Sequence, residues 1–150
     1  MRTQIAENFR AEIDAVHAAL LAVPADLADT PWREGGWTRK QIVGHLLDSA
    51  ANNRQRIVRA SIDGSFTGPG YAQSAWVDAH GYTELPWKTL LHWWEVEHEI
   101  LAAAVNHVSE DRLEAICRIG ENEPVTLRFV IEDYFRHQRW HLNQLNAPVA

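Results

Sequence analysis

At 150 residues, with a formal net charge of −6, eight histidines, seven tryptophans and one cysteine, the chain has the size of one ordinary domain able to bury a core. The acidic balance and the absence of a long basic cluster argue against nucleic acid or an anionic membrane surface as partner. Cys117 has no partner for an intrachain disulfide, the polar N-terminus lacks a signal peptide's apolar stretch, and no apolar run approaches the roughly 20 residues that span a bilayer; the expectation is a cytoplasmic protein.

Hydrophobic periodicity predicts four helices. In the first, Ile5, Phe9, Ile13, Val16 and Leu20 recur at spacings of three and four and stop before Pro24. The second opens at Thr38, a good N-cap with Gln41 at the capping-box position, and runs through Ile42, Val43, Leu46, Leu47, Ala50 and Ile57 to Asp63-Gly64. Residues 63–86 hold Gly64, Gly68, Pro69, Gly70, Gly81 and Pro86, show no helical period and read as a long loop, of a length that tends to be functional. At about 3.3 Å per extended residue it can run the length of a neighbouring helix, which allows helices two and three to be parallel neighbours. The third helix follows Pro86 with Leu90, Trp94, Leu101, Val105 and Val108. Leu113–Ile119 and Pro124–Thr126, flanking Gly120-Glu-Asn-Glu123, suggest a small β-hairpin. The fourth helix starts near Thr126 and turns Leu127, Val130, Ile131, Tyr134, His137, His141, Leu142 and Leu145 towards the core. The expected fold is all-α: a single domain over residues 1–150, a four-helix bundle with a long crossover loop and the hairpin.

His137 and His141 carry the first chemical signal. One helical turn apart, they project from the same side, close enough to share one metal ion. Spacing alone is weak evidence, but both fall on the apolar stripe, where an uncompensated polar ring costs about 1–3 kcal/mol. His45 lies among apolar neighbours on the second helix, in a polar seam of Gln41, His45, Asp48, Asn52 and Arg56 that follows one line along that helix. Bundles build metal sites from side chains on facing helices, and three imidazoles without a cysteine suit zinc, nickel or iron(II) rather than calcium. Three protein ligands leave positions for water or substrate, and a metal there lowers the pKa of water or of a thiol.

The pair is not an HExxH motif, because Gln138 stands where that motif has its glutamate base. Asp48, three residues after His45, and Asp133, four before His137, can each share a histidine's face as hydrogen-bond acceptor or base. His98 falls on the core stripe of the third helix and is expected to line the same cavity. Cys117 has no cation or base near it in sequence, so no nucleophilic role is expected of it.

The run Gly35-Gly-Trp-Thr-Arg-Lys-Gln-Ile-Val-Gly-His45-Leu-Leu-Asp-Ser49 resembles the second-helix signature of the DinB/YfiT-like metalloenzymes. So do Asn52-Asn53-Arg54, Tyr71-Ala-Gln-Ser-Ala-Trp76-Val and Tyr134-Phe-Arg-His137-Gln-Arg-Trp-His141-Leu-Asn-Gln144, in order along nearly the whole chain. The resemblance is to the branch that includes bacterial low-molecular-weight-thiol transferases. It implies a four-helix bundle, often a homodimer, that binds a divalent metal, usually zinc or nickel, through three histidines, which on this sequence are His45, His137 and His141. Older descriptions call its members metal-dependent hydrolases, and characterised relatives activate a thiol cofactor and transfer it to an electrophile.

The leading expectation is therefore metal-dependent transfer of a low-molecular-weight thiol to an electrophilic small molecule. Asn52, Arg56, His98, Tyr71 and Trp76 are the candidates to line the cleft. Hydrolysis assisted by Asp48 or Asp133, and a non-catalytic metal-containing binding module, are the alternatives.

Overall fold

The computed structural model describes residues 2–149. The expected helices form where caps and apolar stripes place them. Helix α1, Gln4–Leu21, starts with the Thr3 side chain accepting from the Ala6 N–H and buries Ile5, Phe9, Ile13, Val16 and Leu20. Helix α2, Arg39–Asp63, opens with the full capping box between Thr38 and Gln41 and stops at Gly64, whose φ of +79° ends the helix in the left-handed region.

Between Gly64 and Pro86 the structure departs from the sequence expectation. Strand β1, Ser65–Gly68, is followed by helix α3, Gln73–His80, and a 3₁₀ turn at Tyr82–Glu84. Helix α3 escapes a periodicity search because only Val77 of its eight residues is buried. The chain continues through α4, Trp87–Asn106, β2, Ile116–Ile119, β3, Val125–Thr126, and α5, Leu127–Leu145, where the Thr126 side chain accepts from the Phe129 N–H. The expected hairpin is present as β2 antiparallel to β3, but β1 adds in parallel to its other edge, pairing Ser65 with Ile116 and Gly68 with Ile119. A four-residue strand whose partner lies some fifty positions away has no local signature.

Side-chain contacts give the helix directions. Lys40 reaches the Thr83 carbonyl and Arg54 pairs with Glu97, both across 43 positions, so α2 and α4 run parallel, as the long crossover allows. Helix α5 opposes α2, since Arg39 meets Leu145 and His45 meets His137. Helix α1 runs with α5, through Phe9 on Phe135 at 4.8 Å between ring centres and Glu12 with Arg139 at 2.7 Å. The four long helices close a ring in the order α1–α4–α2–α5. Leu20, Ile42, Leu46, Ile57, Leu90, Trp94, Leu101 and Leu127 fill its interior. Among the described residues no helix is long and apolar enough to cross a membrane.

Arg39 ties two of these helices and the 30–31 turn together. Fully buried, it donates to the carbonyls of Leu145 (3.2 Å), Ala147 (2.7 Å), Thr30 (3.1 Å) and Pro31 (2.9 Å). The first two lie at the C-terminal end of α5, whose carbonyls otherwise lack intrahelical donors.

Candidate metal centre

Because α2 and α5 are antiparallel neighbours, His45 faces the turn of α5 that carries His137 and His141. The Nε2 atoms of His45 and His137 lie 3.0 Å apart, and those of His141 and His137 3.1 Å apart. The three ligand atoms all fall within 4.8 Å of one another. Hydrogen bonding among the rings cannot satisfy this arrangement. A ring nitrogen offers one proton or one lone pair, so His137 Nε2 makes one good bond to one neighbour and leaves the other imidazole unpaired. Three lone pairs around one point suit a cation instead. Tetrahedral zinc with Zn–N of roughly 2.0–2.1 Å needs nitrogens about 3.3 Å apart, close to the spacing found. The donor set fits a divalent transition metal.

The surroundings keep the rings neutral, as ligands must be. Burial, and then the facing imidazoles, pull His45 down to about 3. Burial and His141 take His137 to about 4, with the Asp133 charge opposing. Burial also lowers His141, against its hydrogen bond to Gln144. That bond is short, 2.6 Å from Nδ1 to Oε1, so the proton sits on Nδ1 and the Nε2 lone pair points into the cluster. His45 lacks such support: it is fully buried with Nδ1 unpartnered, and packs 5.1 Å from the Trp37 ring.

A cleft of about 430 Å³ opens from His137 between α2, α5 and the β2–β3 turn. Of the residues expected to line it, Arg56 and Tyr71 do so, and Asp133, the candidate base, lies in the lining as well. Asn52 does not: its amide donates to the Asp48 carbonyl one turn back, and Asn53 takes the lining position. Trp76 is not in the lining and packs edge-on to Tyr71 at 5.4 Å between ring centres. Asp133 is half-exposed and 3.5 Å from Arg136.

Asp48 does not orient His45. Buried against α3 and the following turn, its Oδ1 accepts from the Tyr82 hydroxyl at 2.6 Å and faces His80 Nδ1 at 3.1 Å, while Oδ2 is unpartnered. Burial raises its pKa, against the Tyr82 bond.

His98 belongs to the core rather than the cleft. Its Nδ1 donates to the Trp94 carbonyl (2.7 Å), and its Nε2 accepts from the Tyr134 hydroxyl (2.6 Å). Tyr134 in turn accepts from Gln138 Nε2 (3.3 Å), whose Oε1 accepts from Trp94 Nε1 (3.1 Å). The chain of bonds closes on Trp94, so both polar ends of Gln138, at the position of an HExxH glutamate, are engaged inside the bundle. Cys117 is buried on β2. The fold brings Arg56 near it, but burial outweighs that charge and raises the thiol's pKa.

Comparison with known proteins agrees with this architecture. A protein of Geobacillus thermodenitrificans, provisionally named a metal-dependent hydrolase, is 27% identical over 133 residues, covering 88% of this chain and 75% of that protein. A protein of Oceanobacillus iheyensis with the same provisional name is 28% identical over 119 residues, 79% of this chain and 68% of its own. Among solved structures, YfiT from Bacillus subtilis, described as a probable metal-dependent hydrolase with an unusual four-helix bundle topology, superimposes with a TM-score of 0.83 at 22% identity, over 97% of this chain and 86% of that one. A mycothiol-dependent maleylpyruvate isomerase superimposes with a TM-score of 0.79 at 18% identity, over 98% of this chain and 61% of that one. At such identities the two structures speak to the fold alone. The sequence itself matches the DinB superfamily from residue 7 to residue 145, a span that holds all four long helices save the first turn of α1 and all three histidines, and the chain belongs to that superfamily.

Proposed function

We propose that this protein is a divalent-metal-dependent enzyme, with His45, His137 and His141 as ligands, that transfers a low-molecular-weight thiol to an electrophilic small molecule. The observation that carries the reading is the convergence of three Nε2 atoms at the head of a cleft, with no acid hydrogen-bonded to any of the three rings. A divalent ion bound there supplies a Lewis acid that favours the deprotonated form of a thiol or of water at neutral pH.

The chain's own residues do the rest. Gln144 fixes the tautomer of His141, the buried walls of α2 and α5 hold the three rings, and the cleft holds the reactants beside them. A thiol needs no separate strong base at such a site, which suits one whose nearby acids are tied to Tyr82 or to Arg136. The metal dependence named for the relatives and the thiol dependence named for the isomerase of like fold both support this assignment.

Hydrolysis is the second reading. Asp133 favours it, since this acid lines the cleft and its charge is felt at His137.

Metal analysis of untagged protein tests the site: His45→Ala and His137→Ala are expected to lose bound metal. A panel of biological thiols offered with a chlorinated aromatic tests the reaction. Metal-dependent conjugation with one of them is the expected result. Ester or amide turnover with no conjugation would establish the hydrolase, and neither activity in a fully metallated protein would sink both.

A further inference from the structure

We propose that the floor of the cleft is an anion seat, in which the Arg56 guanidinium binds a carboxylate on the low-molecular-weight thiol whose sulfur meets the histidine cluster. The inference deepens the proposed function and rests on it for the position of the reacting group.

Three arginines of α2 show the difference between a structural guanidinium and an available one. Arg39, fully buried, spends its donors on four backbone carbonyls. Arg54 pairs with Glu97 at 2.9 Å. Arg56 is 9% exposed, yet among the described residues its one hydrogen bond is a long 3.4 Å approach of Nη1 to Asn53 Oδ1, and no carboxylate pairs with it. Burying a cation without a partner is costly, and burial does pull its pKa down. Its titratable neighbours, Tyr71 and Cys117, are both pushed by burial towards their neutral forms.

The uncharged polar lining of the cleft includes Ser49, Asn53, Tyr71 and Asn122, interleaved with apolar side chains, and the Tyr71 ring lies 5.9 Å from the guanidinium. The two acids of the same cleft stand towards its mouth, Glu123 exposed on the β2–β3 turn and Asp133 half-exposed beside Arg136. Cation at the floor and acids at the rim would orient an incoming monoanion, acid group inward. The planar fork of an arginine matches a carboxylate through two parallel hydrogen bonds.

The helix sets the ligand's length. His45 and Arg56 are separated by roughly 16 Å along α2 at 1.5 Å per residue. Both side chains lean back towards the N-terminus, and the longer arginine reaches further, which leaves a span on the order of 10 Å. A six-carbon chain with a carboxylate at one end and a reactive sulfur at the other has that reach.

The matched probes are 6-mercaptohexanoate and 6-mercaptohexanol, titrated by calorimetry into zinc-loaded wild type and Arg56→Met, with hexanoate titrated into the metal-free proteins. Binding of the mercaptohexanoate to wild type is expected to be at least about tenfold tighter than that of the alcohol, a preference that collapses to about one in Arg56→Met. Hexanoate is expected to raise the melting temperature of metal-free wild type and not of the variant. The unliganded variant should melt no lower than wild type, because methionine keeps the packed stem and removes a buried, unpaired charge. Equal acid-over-alcohol preference in both proteins, no preference in either, or a variant that melts lower with no ligand present would overturn the seat. Loss of zinc-dependent thiol binding with the hexanoate effect intact would count against thiol transfer and leave the anion seat standing.

Discussion

Gln144 offers the sharpest test of how the histidine cluster is organised. Its Oε1 accepts a hydrogen bond from His141 Nδ1–H at 2.6 Å, in a site where His141 is 5% and Gln144 8% exposed. Gln144→Leu keeps the bulk and removes the acceptor. Two effects then act in the same direction. The Nδ1–H becomes a buried donor without a partner, costing about 1–3 kcal/mol in the neutral tautomer that leaves Nε2 free. The other tautomer, with the proton on Nε2 shared towards His137 at 3.1 Å, becomes the better ground state and must be reversed before a cation binds. Loss of an acceptor behind a ligating histidine typically costs 10–100-fold in metal affinity, or about 1.4–2.7 kcal/mol. Competition with a chromophoric chelator at fixed pH measures this as a ratio of zinc dissociation constants. Gln144→Glu is the control, since a carboxylate accepts the same proton and should hold affinity at or above the wild-type value. Affinity unchanged within about twofold in Gln144→Leu, or equal losses in the leucine and glutamate variants, would refute the orienting role.

The features legible in the sequence are those written within one helical turn. The capping box of Thr38 and Gln41, the stripe Ile5–Phe9–Ile13–Val16–Leu20 and the His137–His141 pair each need only the local period of a helix, and each lies where the period puts it. The meeting of His45 with the pair is a tertiary fact, reached through the apolar company of His45, the habit of bundles to build sites between helices, and family resemblance. What escaped depends on rotation about the helix axis or on distant strands. Asp48 is three residues from His45, but the fold turns it towards Tyr82 and His80, which arrive from a loop that the sequence left without structure. Asn53 lines the cleft where Asn52 was expected, a single helical step of about 100°. His98 carried the same signal as the cluster histidines, a polar ring on an apolar stripe. Its partner is a tyrosine hydroxyl one helix away, and only geometry separates a satisfied core histidine from a ligand. Gln144 did leave a trace: it is a polar residue three positions after His141, on the stripe that faces inward.

Three further substitutions probe the frame that holds the site. In Gly44→Ala the new methyl group would overlap the Tyr82 ring, so chemical denaturation should show a loss of about 1–3 kcal/mol; an unchanged midpoint would mean the ring gives way freely. Arg39→Met removes the side-chain donors of four carbonyls, of which Thr30 keeps the Arg39 backbone N–H, and should cost about 2–5 kcal/mol, read as a fall of roughly 2–4 °C in melting temperature per kcal/mol for a chain of this size, with zinc retention falling too because α5 carries two of the three histidines. His98→Gln tests the core network through pH. Burial holds His98 at about 4 in the folded protein, below its ordinary 6.5. The depressed value means that its contribution to stability is fully present above pH 6.5 and is lost as the pH falls through 4, at most about 3 kcal/mol at 1.36 kcal/mol per unit. Groups common to both proteins cancel in the difference. The stability of wild type minus that of His98→Gln should therefore decline by that amount between pH 6.5 and pH 4, and a difference that stays flat would show that His98 does not titrate between the folded and unfolded states as its burial requires.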